Sequence, residues 1–392
     1  MQIKYIDTLC TDGNHLLFNA SLLAMFQKNF NKIILYGEKS NAYDEINILK
    51  KNQIDTNNID VKNIWLPIAR TRISNFLLYL CSFFYNLWFI MIAKKTDILV
   101  FNYNNMLAVR TMNIFNKIFH RKILIFCHGE MEYLIADYSF FGPFNRLLFK
   151  LGRSFFLNKK IHIEKNIKFV VLGDSILKNI KKITPSNISS SFIAVDHSYF
   201  FKNDINNKDF FSDSVKIGTV GLFYKKKGAD EFCYLVSLIN NNKIKFSITG
   251  KIFYDLDKLK KLNIDLPNNL GKGFVPRDEL EARVKKLDFI LYLYPTDSYQ
   301  LMASGAILDA LSLQKPIIAL KNDYFDYIFK KFGEFGFLFE SVEKIAEFLN
   351  HNSLKSTQSS FDYLSIQKRL SVSTISEELK ESLKKIKFIT ND

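Results

Sequence analysis

The chain has 392 residues, 48% of them hydrophobic and 15% aromatic, which excludes a disordered protein and leaves room for two folded domains. Its formal charge of +15 is uneven: residues 1–200 carry 25 Lys/Arg against 14 Asp/Glu, and residues 201–392 carry 29 against 25. The basic front half fits a surface for anionic lipid or a phosphorylated substrate, or a lysine-rich composition spread over solvated positions; the lysines form no aromatic-interleaved stripe, which argues against nucleic acid as a partner.

Ile3–Ile6 opens the chain as a short strand, with no signal-peptide pattern around it. A Gly13-Asn14-His15 loop leads into a helix over Asn19–Lys28, and Lys32–Tyr36 is a strand ending in Gly37. The apolar stretch Asn75–Ala93, flanked by Arg70, Arg72, Lys94 and Lys95, is long enough for a bilayer. Asn75, Ser82 and Asn86 interrupt it, and the buried strand Ile98–Phe101 follows at once. A helix docked on a sheet, its aromatic face at the surface of an anionic membrane, is therefore expected. Ile123–Cys127 is a strand ending in His128-Gly129-Glu130, and Phe169–Leu172 closes at Gly173-Asp174-Ser175. Strands alternating with helices predict a mostly parallel, doubly wound sheet. Its ligand loops lie at the carboxyl ends of strands, where Gly13, Asn102, His128 and Gly173 fall.

Residues 201–214 are polar and unpatterned and read as a linker. A second alternating series follows: Lys216–Val220, Phe246–Thr249, Leu270–Val275, Phe289–Leu293, Ile317–Leu320 and Gly336–Phe339. From Phe361 the tail is helical and basic. The expected class is α/β, with two Rossmann-like doubly wound domains facing each other across a cleft. The expected boundaries are 1–200, a linker 201–214, a second domain 215–360, and a tail 361–392 packing back on the first domain. Four cysteines without paired spacing point to a reducing cytoplasm and away from disulfides and zinc.

The chemistry-bearing patterns sit mostly in the second series. Val220-Gly221 is followed by Lys225-Lys226-Lys227-Gly228: a glycine turn admits a phosphate to the backbone and the lysines bring charge, although a solvated surface loop has the same letters. Thr249-Gly250-Lys251 ends another strand, and Gly273-Phe274-Val275 offers backbone and an aromatic ring to a base. Tyr294 to Ala310 places Ser304-Gly305 at a helix start, where free N–H groups suit a phosphate, with Asp309 one turn on, in reach of a ribose. In the first series His128 ends a buried strand and suits a sugar hydroxyl or a developing charge, or is a structural loop histidine. Glu130 and Glu132 follow it as acceptor-orienting carboxylates, and Asn14 and His15 are acceptor contacts or part of an Asx turn. Asp255-Leu256-Asp257 lies in a Lys-rich helical stretch and reads as surface, so no metal site is expected.

The ordered set Val220-Gly221, Lys227-Gly228, Thr249-Gly250, Gly273-Phe274-Val275, Ser304-Gly305 through Asp309-Ala310, and Lys315-Pro316-Ile317 resembles the donor domain of GT-B glycosyltransferases. More narrowly, it resembles the large retaining group that includes many bacterial capsule and lipopolysaccharide enzymes. The resemblance implies a nucleoside-diphosphate-sugar donor used as substrate, with no cofactor. Lys227 would neutralise the diphosphate held by Gly221 and by the backbone of Ser304-Gly305, with Lys225 or Lys226 supplying the charge of the family's arginine. Gly250, Phe274 and Val275 would line the base, and Asp309 would take the place of the second glutamate of the family's Glu-x7-Glu motif. Gly13 and His128 sit where the family places its acceptor-side glycine loop and active-site histidine. Two departures stand out: the first glutamate of that motif falls on Leu301, and an arginine expected after Gly221 is Leu222. A variant branch of the family has the same gap, and Tyr299 or Asp297 would approach the sugar instead. The function this implies is transfer of a sugar to a glycan or lipid-linked glycan acceptor in bacterial surface polysaccharide synthesis, in the cytoplasm at the inner face of the cell membrane. A nucleotide-sugar epimerase of the same fold and a non-catalytic partner subunit are the alternatives.

Overall fold

A computed structural model describes residues 1–137, 141–201, 214–271, 275, 277–351 and 361–390. Phe274 and residues 202–213 of the expected linker lie outside them. The chain divides into two compact units: Met1–Phe200 with Leu301–Ala303 and Leu370–Asp392, and Phe201–Gln300 with Ser304–Arg369.

The first unit is built on seven strands: β1 (Ile3–Ile6), β2 (Ile33–Gly37), β3 (Ile59–Asn63), β4 (Ile98–Phe101), β5 (Lys122–Phe126), β6 (Ile167–Val171) and β7 (Phe192–Ala194). Their order is β3-β2-β1-β4-β5-β6-β7, and every neighbouring pair is parallel. β1 and β4 are buried along their whole length, and β4 accordingly reads as an unbroken apolar run. The one charge in β1, Lys4, is matched by Asp97 at 3.4 Å. β3 escapes the sequence pattern because it is an edge strand. Asp60 and Lys62 keep it exposed, and such charges blunt an open edge.

Five helices connect the first six strands: α1 (Leu16–Asn29), α2 (Lys39–Lys51), α3 (Arg72–Ile92), α4 (Val109–Phe119) and α5 (Pro143–Phe156). The chain runs outward from β1 to β3 and then back from β4 to β6, and parallel crossovers are right-handed as a rule. That reversal puts α1 and α2 on one face of the sheet and α3, α4 and α5 on the other. α3 starts three residues before the expected helix, because Thr71 and Ser74 close a reciprocal cap there.

The second unit has β8 (Val215–Val220), β9 (Ile244–Thr249), β10 (Ile264–Asp265), β11 (Phe289–Tyr292), β12 (Ile317–Leu320) and β13 (Gly336–Phe339). They form a parallel sheet in the order β10-β9-β8-β11-β12-β13. Of the strand expected over Leu270–Val275, residues 272–274 lie outside the described residues, and the strand that pairs with β9 is Ile264–Asp265. Leu270 and Gly271 take left-handed φ values of 50° and 69°, which a strand cannot hold.

The tail divides between the units. The Tyr363–Arg369 helix stays with the second, where Gln367 Nε2 donates to the Leu311 carbonyl at 2.7 Å. The Val372–Lys385 helix packs on α1 in the first, where Asn29 Nδ2 donates to the Ser376 carbonyl at 2.8 Å and Lys122 Nζ donates to the Phe388 carbonyl at 2.7 Å.

Candidate functional site

In open parallel sheets a ligand lies beyond the carboxyl ends of the strands where the winding reverses. That point falls between β1 and β4 in the first unit and between β8 and β11 in the second. The candidate residues gather at these two places.

In the first unit, β1 runs into a loop rooted on buried acids. Asp7 Oδ1 accepts from the N–H of Leu9 and Cys10 at 3.3 and 3.0 Å, and its Oδ2 accepts from Asn19 Nδ2 at 2.9 Å. The same Asn19 amide donates to Glu45 Oε1 at 3.1 Å. Burial raises the Asp7 pKa to about 6 and pushes that of Glu45 well up. Further along, Asp12, Gly13 and His15 all take left-handed φ, at 57°, 80° and 56°. The Gly13 N–H donates to Asn41 Oδ1 at 2.9 Å and the Asn14 N–H to the Thr11 carbonyl at 3.2 Å, so these two donors hold the loop itself. The residues Asn14 and His15 are exposed, with the His15 ring 5.4 Å from that of His128.

His128 ends β5 in an aromatic slot. Tyr103 stacks on it at 4.9 Å and Phe18 meets it edge-on at 4.3 Å. Its Nε2 lies 2.7 Å from the Asn102 carbonyl, which can only accept, so Nε2 carries the hydrogen and Nδ1 keeps the lone pair. Burial lowers its pKa to about 3, so the ring is neutral at pH 7. Glu130 Oε2 accepts the His128 N–H at 2.8 Å, and burial raises the Glu130 pKa to about 8, so this carboxyl holds its proton at neutral pH. Thr11 Oγ1, Asn102 Oδ1, Asn104 Oδ1 and Glu130 Oε1 are buried without a hydrogen-bond partner. All four lie in the loops after β1, β4 and β5. Buried polar atoms are usually paired; Glu130 and Asn104 are within side-chain hydrogen-bond reach of each other, and the remaining acceptors leave these loops able to take water or a polar ligand.

In the second unit two glycine turns pack back to back. A Cβ on Gly250 would stand 2.0 Å from the Gly221 carbonyl oxygen, and one on Gly228 would stand 1.9 Å from that of Leu293. Only glycine allows these approaches. They seat the Lys225–Lys227 turn against the end of β11. Lys227 Nζ lies 5.5 Å from the Tyr294 ring centre, and Tyr294 stacks on Tyr299 at 4.9 Å. Lys225 has a different neighbourhood: its ammonium is 3.8 Å from Asp230, and with Tyr254 and Lys258 it lines an open pocket of about 690 Å³. The Gly305–Ser312 helix begins at Ser304, whose buried Oγ has no partner and leaves the first N–H groups uncapped. Gly305 is exposed, with open space where a Cβ would stand. Asp309 follows four residues on and so lies on the same helix face as Gly305. Val275 is half-buried. Among the described residues, no group of three His, Cys, Asp or Glu is placed to hold a metal ion.

Sequence reasoning missed Tyr103, Asn104, Tyr294 and His197. Asn102-Tyr103-Asn104-Asn105, a polar run directly after a buried strand, was a usable signal. His197 had none: only folding brings its ring within 5.0 Å of Phe18.

No family model matches the chain, and no curated protein matches its sequence. Solved structures match nearly all of it. HepE from Anabaena, in complex with UDP and glucose, has a TM-score of 0.60 at 13% identity, covering 98% of this chain and 100% of that one. The lipopolysaccharide outer core galactosyltransferase WaaB has a TM-score of 0.57 at 11% identity, over 98% and 99%. TarM has a TM-score of 0.63 at 12% identity, over 99% of both chains. These likenesses establish the fold, two Rossmann-like α/β units of the GT-B type.

Proposed function

We propose that this chain is a glycosyltransferase taking a sugar from a nucleoside diphosphate and passing it to a glycan or lipid-linked glycan acceptor in bacterial surface polysaccharide synthesis. One observation carries the reading: at the winding reversal of the second unit, the Gly221 and Gly250 turns, Lys227 and an uncapped helix start at Ser304-Gly305 come from separate strands to one sheet edge. A diphosphate needs this combination of close backbone approach, fixed positive charge and free N–H groups. The fold is shared with HepE, which was solved holding UDP and glucose.

In this reading Lys227 and the N–H groups after Ser304 take up the charge that grows on the departing β-phosphate, and Asp309 accepts from the ribose hydroxyls. Gly250 and Val275 border the base, and Tyr299 borders the sugar. On the acceptor side, neutral His128 offers Nδ1 as a hydrogen-bond acceptor and protonated Glu130 offers a hydrogen, with Asn14 and His15 at the rim. The anomeric configuration is retained, and no metal is required.

Leu301 favours a second reading, a non-catalytic partner subunit. It is buried to 2% exposure at the place where the resemblance expects a sugar-binding carboxylate. Nucleotide-sugar turnover by the purified protein separates the two readings. Binding is tested by thermal shift with a panel of nucleoside diphosphates, since a ligand held only by the folded state raises the melting point. Lys227→Ala should weaken that binding about 10- to 150-fold, the loss of one charge-assisted contact of about 1.5–3 kcal/mol. Unchanged affinity removes Lys227 from the site.

A further inference from the structure

α3 has an outer face that does not suit water. At 100° per residue Ile73, Leu77, Phe84, Trp88 and Met91 fall within a sector of about 60°, and they are 75, 43, 61, 43 and 42% exposed. The opposite side of the helix is fixed to its own sheet: Thr8 Oγ1 meets Ser82 Oγ at 2.8 Å and donates to Asn86 Oδ1 at 3.1 Å, and Asn105 Nδ2 donates to Ser82 Oγ at 3.0 Å. The helix therefore lies along the protein with an apolar stripe turned outward. α4 packs beside it and adds Ile114 and Ile118, 53 and 72% exposed, with Lys117 between them.

Charge decides what covers this face. No Asp or Glu occurs in α3, α4 or α5. Between Asp60 and Glu130 the single acid is Asp97, which is buried against Lys4, while nine Lys and Arg fall in the same stretch. Arg72, Lys94 and Lys95 stand exposed at the two ends of α3. The opposite layer differs: the Val372–Lys385 helix alone carries Glu377, Glu378 and Glu381. A second copy packed face to face would bring like charges together. An apolar stripe rimmed by Arg72, Lys94, Lys95 and Lys117, with the neighbouring acids Asp12 and Glu164 set against Arg70 at 3.2 Å and His120 at 3.8 Å, fits a surface that is apolar below and anionic above.

We propose that the outer face of α3 and α4 docks on an anionic lipid bilayer. α3 lies in the plane of the interface, Ile73, Leu77, Phe84 and Trp88 enter the acyl boundary, and Arg72, Lys94, Lys95 and Lys117 meet the headgroups. The inference stands apart from the donor chemistry, since it uses no residue of either candidate loop set.

The test is flotation of the full chain with vesicles of phosphatidylcholine alone and of phosphatidylcholine mixed with phosphatidylglycerol. The protein should float with the mixed vesicles only, and should be released as salt shortens the screening length from about 30 Å to about 8 Å. Lys94→Ala with Lys95→Ala should bind about thirtyfold more weakly, each lysine contributing about fivefold. Ile73→Ser with Phe84→Ser should lose at least about tenfold, and both variants should keep the melting temperature of the parent. Should the serine variant fail to fold, the lysine variant still decides. The proposal is overturned by absence of binding at low salt, by equal binding to neutral vesicles, or by unaltered binding in the lysine variant. Retention at high salt and high pH would make α3 a span. A dimer that dissociates in the serine variant would assign the face to a second copy.

Discussion

At the scale of single residues, burial rather than pairing sets the chemistry of the first unit. Glu130 has no cation beside it, and desolvation alone accounts for its upward shift to about 8. The consequence for stability has a definite sign. Between pH 4.5 and 8 the folded chain holds a proton on Glu130 that the unfolded chain has released, so stability falls as pH rises through that window. His128 and His197, lowered to about 3 and about 4, work in the opposite direction below pH 6.5. Glu130→Gln should therefore flatten the decline in melting temperature between pH 6.5 and 8 relative to the parent, as read by thermal melts across pH. A variant with the parental slope would show that Glu130 is ionised in the folded state.

At the scale of elements, the donor-side loops depend on close backbone contact more than on side chains. Gly250 has a φ of 135° and sits against the Gly221 carbonyl, so any Cβ is both strained and in collision. Gly250→Ala should cost the second unit about 2 kcal/mol or more, combining left-handed strain and overpacking of about 1–3 kcal/mol each. That corresponds to a fall in melting temperature of about 4–8 °C for a unit of this size, with weaker nucleotide binding as the turn separates. A melting point within a degree of the parent would mean that the turn relaxes without loss. The same elements show what a sequence can and cannot reveal. The buried central strands were legible as apolar runs. β3 was not, because an edge strand needs no apolar run. The expected strand does not start at Leu270, because Leu270 and Gly271 turn the chain with left-handed φ.

At the scale of the whole molecule, the chain ends where it began. Val372, Ile375, Leu379, Leu383 and Phe388 are buried in the unit that holds α1. Full burial of five such side chains is worth about 8–15 kcal/mol as an upper bound, comparable to the whole stability of a domain at about 5–15 kcal/mol. Ending the chain after Arg369 should leave the first unit unfolded or aggregating. Limited proteolysis should then cut it before the second unit. Equal protease resistance of both units would show that the terminal helix is an ornament. The sequence by itself determined the α/β class, the two alternating series and the loops that carry polar residues, because strand burial and glycine punctuation are written locally along the chain. Only the tertiary structure decided which loops meet at each winding reversal, that Lys225 and Lys227 part company, that Gly13 spends its N–H on Asn41, and that His128 and Glu130 are neutral. Those outcomes depend on neighbours far apart in sequence, and burial and hydrogen bonding are properties of the packed molecule.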